Sequence, residues 1–504
     1  MQKITKNFGQ VVANKDVNLT VYKGEILSLL GENGSGKTTL MNMLSGIYFP
    51  DSGEIFVNGR EVTIGSPKDA FDLGIGMVHQ HFKLVDVLTA AENIILGQKG
   101  KLDLRAAKEK IAEICNRYGF VVDPDKKIYN MSVSEKQTVE IVKVLYRGVD
   151  ILILDEPTAV LTPQETEKLF HVMRNMKADG KSIVIITHKL NEVQEISDRV
   201  AILRSGEYIG ELITAKTNPQ EMTNMMVGRQ VVLNIEREEP VNPKPRIRVE
   251  GLNIVDIEGI SKVKDVSFTM NSGEILGVAG ISGCGQKELL EAIAGLQPVV
   301  SGSVKYIEDD GTEAELIGMD PRKIQEKGVA LSFVPEDRLG MGLVGNMDIT
   351  DNMMLRTFRE GKKLFTDKRK PAETAKDIVD TLKVKTPGLE TPVRKLSGGN
   401  VQKVLVGREI SNAPKVLMTA YAVRGLDINS SYLIYDLINE QKREGVAVLF
   451  VGEDLDVLLQ ISDRILVLCD GEVSGIVDGR TTDKNTVGLM MTSLQKSDQV
   501  YEKI

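Results

Sequence analysis

The chain has 504 residues, more than one ordinary domain of ~100–200 residues holds, and its 42% hydrophobic and 27% charged content is that of globular protein. A formal net charge of −8 argues against general nucleic-acid binding, and three scattered cysteines, Cys115, Cys284 and Cys469, with no C-x-x-C spacing argue against a disulfide framework or zinc site. No run approaches the ~20 apolar residues of a membrane-spanning helix and no charged-then-apolar leader opens the sequence, so any membrane role is expected through docking on another protein.

Along the chain, the apolar run Ile26–Leu30 reads as a strand and Leu40–Leu44 as part of a helix. Between them stands Gly31-Glu32-Asn33-Gly34-Ser35-Gly36-Lys37-Thr38-Thr39, the pattern G-x-x-x-x-G-K-[ST] in its proper strand-to-helix context. Glycines let successive backbone N–H groups converge on phosphate oxygens, and the N-terminus of the following helix favours negative charge. Lys37 is expected to reach the β- and γ-phosphates. Thr38 is expected to give its hydroxyl to Mg²⁺, which prefers oxygen ligands.

The next strand, Ile151–Leu154, ends in Asp155 and Glu156, and Ile183–Ile186 ends in Thr187 and His188. Continuous apolar runs of this kind, with Ala447–Val451 in the second half, indicate strands covered on both faces. They alternate with helical patterns, which predicts an α/β fold with a largely parallel sheet, whose chemistry lies beyond the carboxyl ends of the strands. Asp155 is expected to hold Mg²⁺ through water, and Glu156 to polarise the attacking water in a phosphoryl transfer that needs little covalent help. His188 is placed to contact the γ-phosphate side, while His79, His81 and His171 receive no catalytic role.

The plan then repeats. Asn271–Gly280 echoes Tyr22–Gly31, Arg464–Glu472 echoes Arg199–Glu207, and Met490-Met491 echoes Met225-Met226. The domains are read as 1–233 and 246–504, with the charged, proline-bearing segment 234–245 as an exposed linker. The second half opens with a strand-like Arg246–Val249 for which the first half has no room. Either the first half begins short or its sheet lacks an edge strand.

The second copy departs from the first at its chemistry. Its cradle reads Gly280-Ile281-Ser282-Gly283-Cys284-Gly285-Gln286-Lys287-Glu288, with Gln286 in place of Lys37 and Lys287 in place of Thr38. Ala420 and Tyr421 stand where Asp155 and Glu156 do, Glu336 replaces Gln80, Glu453 replaces His188, and the position of Phe8 falls near Ile257. In the opposite sense, Ser397-Gly398-Gly399 is intact in the second half. Its first-half counterpart, Ser132-Val133-Ser134-Glu135, has lost both glycines and is expected to turn a carboxylate toward the anion.

Gly31–Thr38, Gln80, Ser132–Gln137, Asp155-Glu156 and His188, with Leu396–Asn400 in the second half, resemble the Walker A, Q-loop, signature, Walker B and H-loop elements of ABC-transporter ATPases. The resemblance implies two tandem P-loop ATPase domains, each with a parallel sheet core, an antiparallel β subdomain and a helical subdomain. It implies ATP and Mg²⁺ as cofactors, Gln80 beside Thr38 and Asp155 at the metal, and Gln80, Glu156 and His188 as catalytic. It also implies head-to-tail pairing of the halves, so that Ser397, Gly398 and Gly399 complete the site at Lys37 and the degenerate elements meet each other. Phe8 resembles the aromatic that stacks on adenine, a core role being equally open to it.

A degenerate second half and a short linker look like the energy-coupling subunits of bacterial importers of simple sugars and nucleosides. Val78–Val85, Leu88–Gly97 and Val334–Arg338 are most similar to the nucleoside branch, with a sugar such as ribose or galactose as the alternative. Such a subunit implies two integral membrane permease subunits, an extracytoplasmic substrate-binding protein or lipoprotein, no nucleic acid, and a place on the cytoplasmic face of the membrane. A tandem ATPase acting on ribosomes is the alternative of another class. It is disfavoured by the short linker and the single spoiled site.

Overall fold

The computed structural model describes the chain apart from residues 10, 81, 99–102, 160, 231–234, 257–258, 282, 327–330, 335–337, 359–366, 412, 424–425, 453 and 495–504. His81, Ile257, Ser282, Glu336 and Glu453 therefore lie outside the described residues. The chain forms two compact units, Met1–Val232 and Leu233–Ile504.

The first unit is built on a six-stranded sheet in the order Glu207–Ile213, Arg199–Arg204, Ile26–Leu30, Ser182–Thr187, Ile151–Asp155, Ile75–Val78. Only the Glu207–Ile213 strand runs antiparallel to its neighbour. The apolar runs alternate faces as a period of two requires. Leu27, Leu29, Ile153, Val184 and Ile186 pack with Leu40, Met41 and Met43 of the helix Lys37–Leu44 on one side. Ile26, Leu152, Leu154, Ile183 and Ile185 pack with the helical layer on the other. That layer consists of Ala90–Ile95, Leu104–Tyr118 and Val133–Tyr146, joined through Ile94, Ile111, Cys115, Val139 and Val142. Each fully buried aliphatic side chain of this kind stabilises the fold by about 1.5–3 kcal/mol.

A four-stranded antiparallel sheet, Val11–Val17, Gln2–Phe8, Ser52–Val57, Arg60–Val62, completes the unit. The edge-strand expectation is corrected here. Gln2–Phe8 occupies the place that Pro245–Val255 fills in the second unit, paired on both sides like its counterpart. The first sheet has this strand in a shorter form.

The second unit repeats the architecture, with a six-stranded sheet ordered Leu331–Val334, Val416–Ala420, Ala447–Val451, Ile275–Gly280, Arg464–Cys469, Glu472–Asp478. Its antiparallel sheet is Ser261–Asn271, Pro245–Val255, Ser301–Ile307, Glu313–Glu315. The segment read as an exposed linker is partly docked on this unit. Ile235 is buried in its core cluster, Arg237 donates to the carbonyls of Leu459 and Ser462, and Lys442 and Arg480 both donate to the Glu238 carbonyl. An apolar side chain and backbone carbonyls made these contacts, which charge and proline content do not reveal. Among the described residues no helix is long and apolar enough to cross a membrane.

Candidate functional site

The cradle is shaped by its glycines. Gly36 caps the helix Lys37–Leu44 in the left-handed region at φ 93°, and a Cβ there would stand 2.3 Å from the Ala13 carbonyl oxygen. At Gly31 a Cβ would meet the Leu203 carbonyl oxygen at 2.4 Å. The loop therefore closes only without side chains at these two positions. Asn14, fully buried beneath it, donates from Nδ2 to the Gly36 carbonyl at 3.2 Å. Ser35 lies buried within the loop, its Oγ without a hydrogen-bond partner among the described residues, and Asn33 and Gly34 are exposed.

Lys37 is folded back into the loop. Its Nζ donates to the carbonyls of Gly31 at 2.7 Å and Glu32 at 3.0 Å. Burial lowers its pKa, against the pull of Glu156, Asp155 and Glu32. An ammonium desolvated in this way and held by two carbonyls is ready to exchange them for an anion. Thr38 follows, exposed at the loop mouth beside the half-buried Thr39, and its Oγ1 lies 3.4 Å from Asp155 Oδ1.

Burial pushes the Asp155 carboxyl up to about 6, with Glu156 adding to the rise and Thr38 and Lys37 opposing it. A buried carboxylate beside a hydroxyl and short of positive charge is a donor set that suits a hard divalent cation. Glu156 is the point where the catalytic candidates converge. Its Oε2 accepts from Gln80 Nε2 at 2.9 Å and its Oε1 contacts His188 Nδ1 at 3.0 Å. The His188 contact holds its carboxyl below the ordinary range, against burial. Glu156 adopts φ 48°, a left-handed conformation unusual for such a residue, with its N–H on the Ile186 carbonyl at 2.9 Å.

Glu156, His188 and Gln80 thus form one cluster, and Lys37, Thr38 and Asp155 a second one beside it. Phe8 is a separate feature, 43% exposed, its ring edge-on to Tyr48 at 5.2 Å. That exposure favours a platform over a core role. His171 is exposed on the helix Pro163–Ala178, and His79 is half-buried, with burial lowering its pKa.

The second cradle keeps the backbone and loses the chemistry. Gly285 caps the helix Gln286–Ile293 at φ 92°, and Gln286 donates to the Ile281 carbonyl at 3.1 Å, mimicking the fold-back of Lys37 without its charge. Tyr421 repeats the left-handed turn of Glu156, with φ 55° and its N–H on the Val451 carbonyl at 2.9 Å. The strained turn belongs to the fold, and only the first unit puts a carboxylate on it. Lys287 stands in the place of Thr38. It leans along its helix toward Glu291 at 3.8 Å, as i,i+4 partners do.

The expectation for Glu135 is corrected. Its carboxylate turns back to accept from the Ser132 N–H at 2.8 Å in a capping box, and Lys126 pairs with it at 2.7 Å. Burial raises its pKa and these partners more than offset that, so it lies below the usual range. Replacing the glycines made this loop a helix cap. In the second unit Ser397 and Gly398 are exposed at the start of the helix Gly398–Ser411, next to the half-buried Gly399.

Two features escaped the sequence. Gln137 donates to the Pro157 carbonyl, beside Glu156, and Gln402 donates to the Ala422 carbonyl in the same way, each at 2.5 Å. Their shared register in the two halves was the available signal. Lys189, after His188, donates to the Thr158 carbonyl at 2.9 Å and pairs with Glu192 at 3.1 Å, bracing the turn after Glu156. The Lys189–Glu192 pair has the i,i+3 spacing of helix neighbours, whereas no spacing in the sequence brings Lys189 to Thr158.

The ABC transporter family model matches residues 14–159 and 263–419. The chain is 45% identical over 498 residues to the nucleoside import ATP-binding protein NupA of Lactococcus lactis subsp. cremoris (strain MG1363), covering 97% of each. It is 42% identical over 506 residues to the guanosine import ATP-binding protein NupO of Bacillus subtilis (strain 168), covering 98% of each. It is 38% identical over 500 residues to the ribose import ATP-binding protein RbsA 1 of Rubrobacter xylanophilus (strain DSM 9941), covering 97% of each. Among solved structures, the complex of an archaeal ribosomal stalk protein with the ribosome recycling factor aABCE1 gives a TM-score of 0.61 at 17% identity, covering 92% of this chain and 87% of that one. That likeness is one of fold alone, and the sequence relatives named above are import proteins. With the phosphate cradle, the acidic strand end and full-length relatives in agreement, the chain belongs to the ABC transporter family and carries its ATPase domain twice.

Proposed function

We propose that this chain is the ATP-hydrolysing, energy-coupling subunit of a nucleoside importer, docked on the cytoplasmic face of the membrane. The observation that carries this reading is the convergence of Gln80 and His188 on Glu156 beside Lys37, Thr38 and Asp155, in one unit only. The names of the nearly full-length relatives NupA and NupO support nucleosides as the cargo.

In this reading Lys37 leaves its two carbonyls for the β- and γ-phosphates, and the backbone of Gly31, Glu32, Asn33, Gly34, Ser35 and Gly36 supplies the amides of the cradle. Thr38 and Asp155, with Gln80, would hold Mg²⁺, which neutralises phosphate charge when bound. Phe8 offers the adenine its exposed face. Glu156 orients and polarises the water, with Gln80 and His188 fixing the carboxylate. Ser397, Gly398 and Gly399 would complete this site through head-to-tail pairing of the two ATPase domains, 1–233 and 246–504, while the second cradle keeps at most weak nucleotide binding. Two permease subunits would dock along 83–97 and 339–355, with an extracytoplasmic binding protein or lipoprotein delivering the cargo.

The test is uptake of radiolabelled guanosine and ribose by cells carrying or lacking this chain. Loss of guanosine uptake alone supports the reading. Loss of ribose uptake alone replaces nucleosides with simple sugars, and loss of neither removes the transport assignment.

A further inference from the structure

The helix Val133–Tyr146 carries a polar stripe that grips the segment after Gln80. Glu140 Oε1 accepts from the Lys83 N–H at 2.8 Å, and Lys143 Nζ donates to the Lys83 carbonyl at 2.9 Å. The two side chains lie 3.6 Å apart and are 7% and 16% exposed, so the backbone of one residue is held at its N–H and at its carbonyl by a shielded ion pair. On the same face Lys136 reaches Asp86 at 3.4 Å, and Arg147, which follows the helix, donates to the Leu96 carbonyl at 3.0 Å. Lys83 stands three positions beyond Gln80, whose amide is on Glu156.

Comparison of the units separates what the fold needs from what the chemistry uses. Asn93, fully buried, accepts from the Val85 N–H and donates to the Val85 carbonyl, and Asn352 does the same for Val344 in the second unit. That pin is common to both and serves the fold. The acidic end of the bracket is not common. Registered on Gln137 and Gln402, the positions of Lys136, Glu140 and Lys143 are Val401, Leu405 and Arg408. Val401 and Leu405 are buried in the apolar core, and Arg408 pairs with its neighbour Glu409. Where Tyr421 stands, apolar residues take the places of Lys136 and Glu140, while Arg408 keeps a buried cation, paired with Glu409, in the place of Lys143.

We propose that Glu140 and Lys143 are positioning residues for ATP hydrolysis, fixing the Lys83 peptide and through it the placement of Gln80 on Glu156. The inference rests on the reading of Glu156 as the carboxylate that polarises water. The same helix also holds the backbone beside Glu156 through Gln137 and Pro157. Gln80 is thus tied to the catalytic carboxylate, and Lys83, three positions on, to the helical layer. A shift of that layer changes the grip of Gln80, and no ligand contact by Glu140 or Lys143 is required.

Steady-state ATPase of the full chain assembled with its permease tests this, with thermal midpoints measured alongside. Glu140→Ala is expected to lower kcat about ten- to a hundredfold while KM for MgATP stays within about twofold, the pattern of misplacement rather than lost binding. Glu140→Gln, which keeps an acceptor oxygen for the Lys83 N–H, is expected to recover most of that loss. An unchanged kcat in Glu140→Ala would overturn the proposal, as would equal losses in the Ala and Gln variants. Should Glu140→Ala fail to fold, Lys143→Met against Lys143→Arg decides in the same way, with loss in the first and recovery in the second expected. Wild-type turnover together with its abolition by Glu156→Gln checks the underlying reading separately, so failure of one is distinguishable from failure of the other.

Discussion

Asp155 and Glu156 are adjacent carboxylates driven in opposite directions by their surroundings. Glu156 has His188 and Gln80 as partners and is held ionised, whereas Asp155 is buried with a hydroxyl as its nearest partner and is pushed up to about 6. The sign of its effect on stability follows. A carboxyl raised from 3.8 to about 6 binds its proton more tightly when folded, so stability is lost as pH rises through that window. Removing the carboxylate charge should relieve this. In the absence of nucleotide and Mg²⁺, Asp155→Asn is expected to be more stable than the wild type at pH 8 by on the order of 2–3 kcal/mol, the gap closing toward pH 4. Denaturation at the two pH values reads it out, and a variant less stable than wild type at pH 8 would contradict the strained-acid account. Both residues were legible as a pair of acids at a strand end. The roles of metal holder and water polariser were expected of them too, but the opposite directions in which their carboxyls are driven were not legible, because these depend on which of them His188 and Gln80 reach.

At the scale of elements, the opening turns of the helices Val133–Tyr146 and Gly398–Ser411 show how one position serves either a cap or a ligand. Ser132 and Glu135 satisfy each other's backbone N–H groups in a capping box, a device that stabilises the helix end by about 1 kcal/mol and closes it to an anion. Ser397 and Gly398 are exposed, with no carboxylate of this kind beside them in the sequence. Ser397→Arg or Gly398→Asp is therefore expected to reduce ATPase about 10²- to 10³-fold, the scale of losing a principal electrostatic contact. Ser132→Arg should cost far less. Equal losses from the two loops, measured at saturating ATP, would remove the segregation of intact and degenerate elements. Strands such as Ile183–Ile186 could be read directly, since unbroken apolar runs have one use in a sheet covered on both faces. The fate of Glu135 and Lys287 could not, because a local partner within four residues competes with the ligand that the motif suggests.

For the whole molecule, duplication without equivalence is the governing feature. Both units keep the glycine-capped cradle and the left-handed turn at the strand end, at φ 48° for Glu156 and φ 55° for Tyr421, so the backbone frame outlives the side chains it was built to present. The internal repeat was visible in the sequence, as were the losses at Gln286, Ala420 and Tyr421. The docking of Ile235 and Arg237 on the second unit was hidden, because the charges and prolines around them resemble those of a free tether. This asymmetry predicts one competent site. Ala420 and Tyr421 stand where the metal-binding role is assigned to Asp155 and the water-polarising role to Glu156. The most direct measurement is single-turnover cleavage of radiolabelled ATP by the Glu156→Gln chain assembled with its permease. The account predicts that ATP binds and stays uncleaved over many wild-type turnover times, and cleavage that persists in this variant would contradict it.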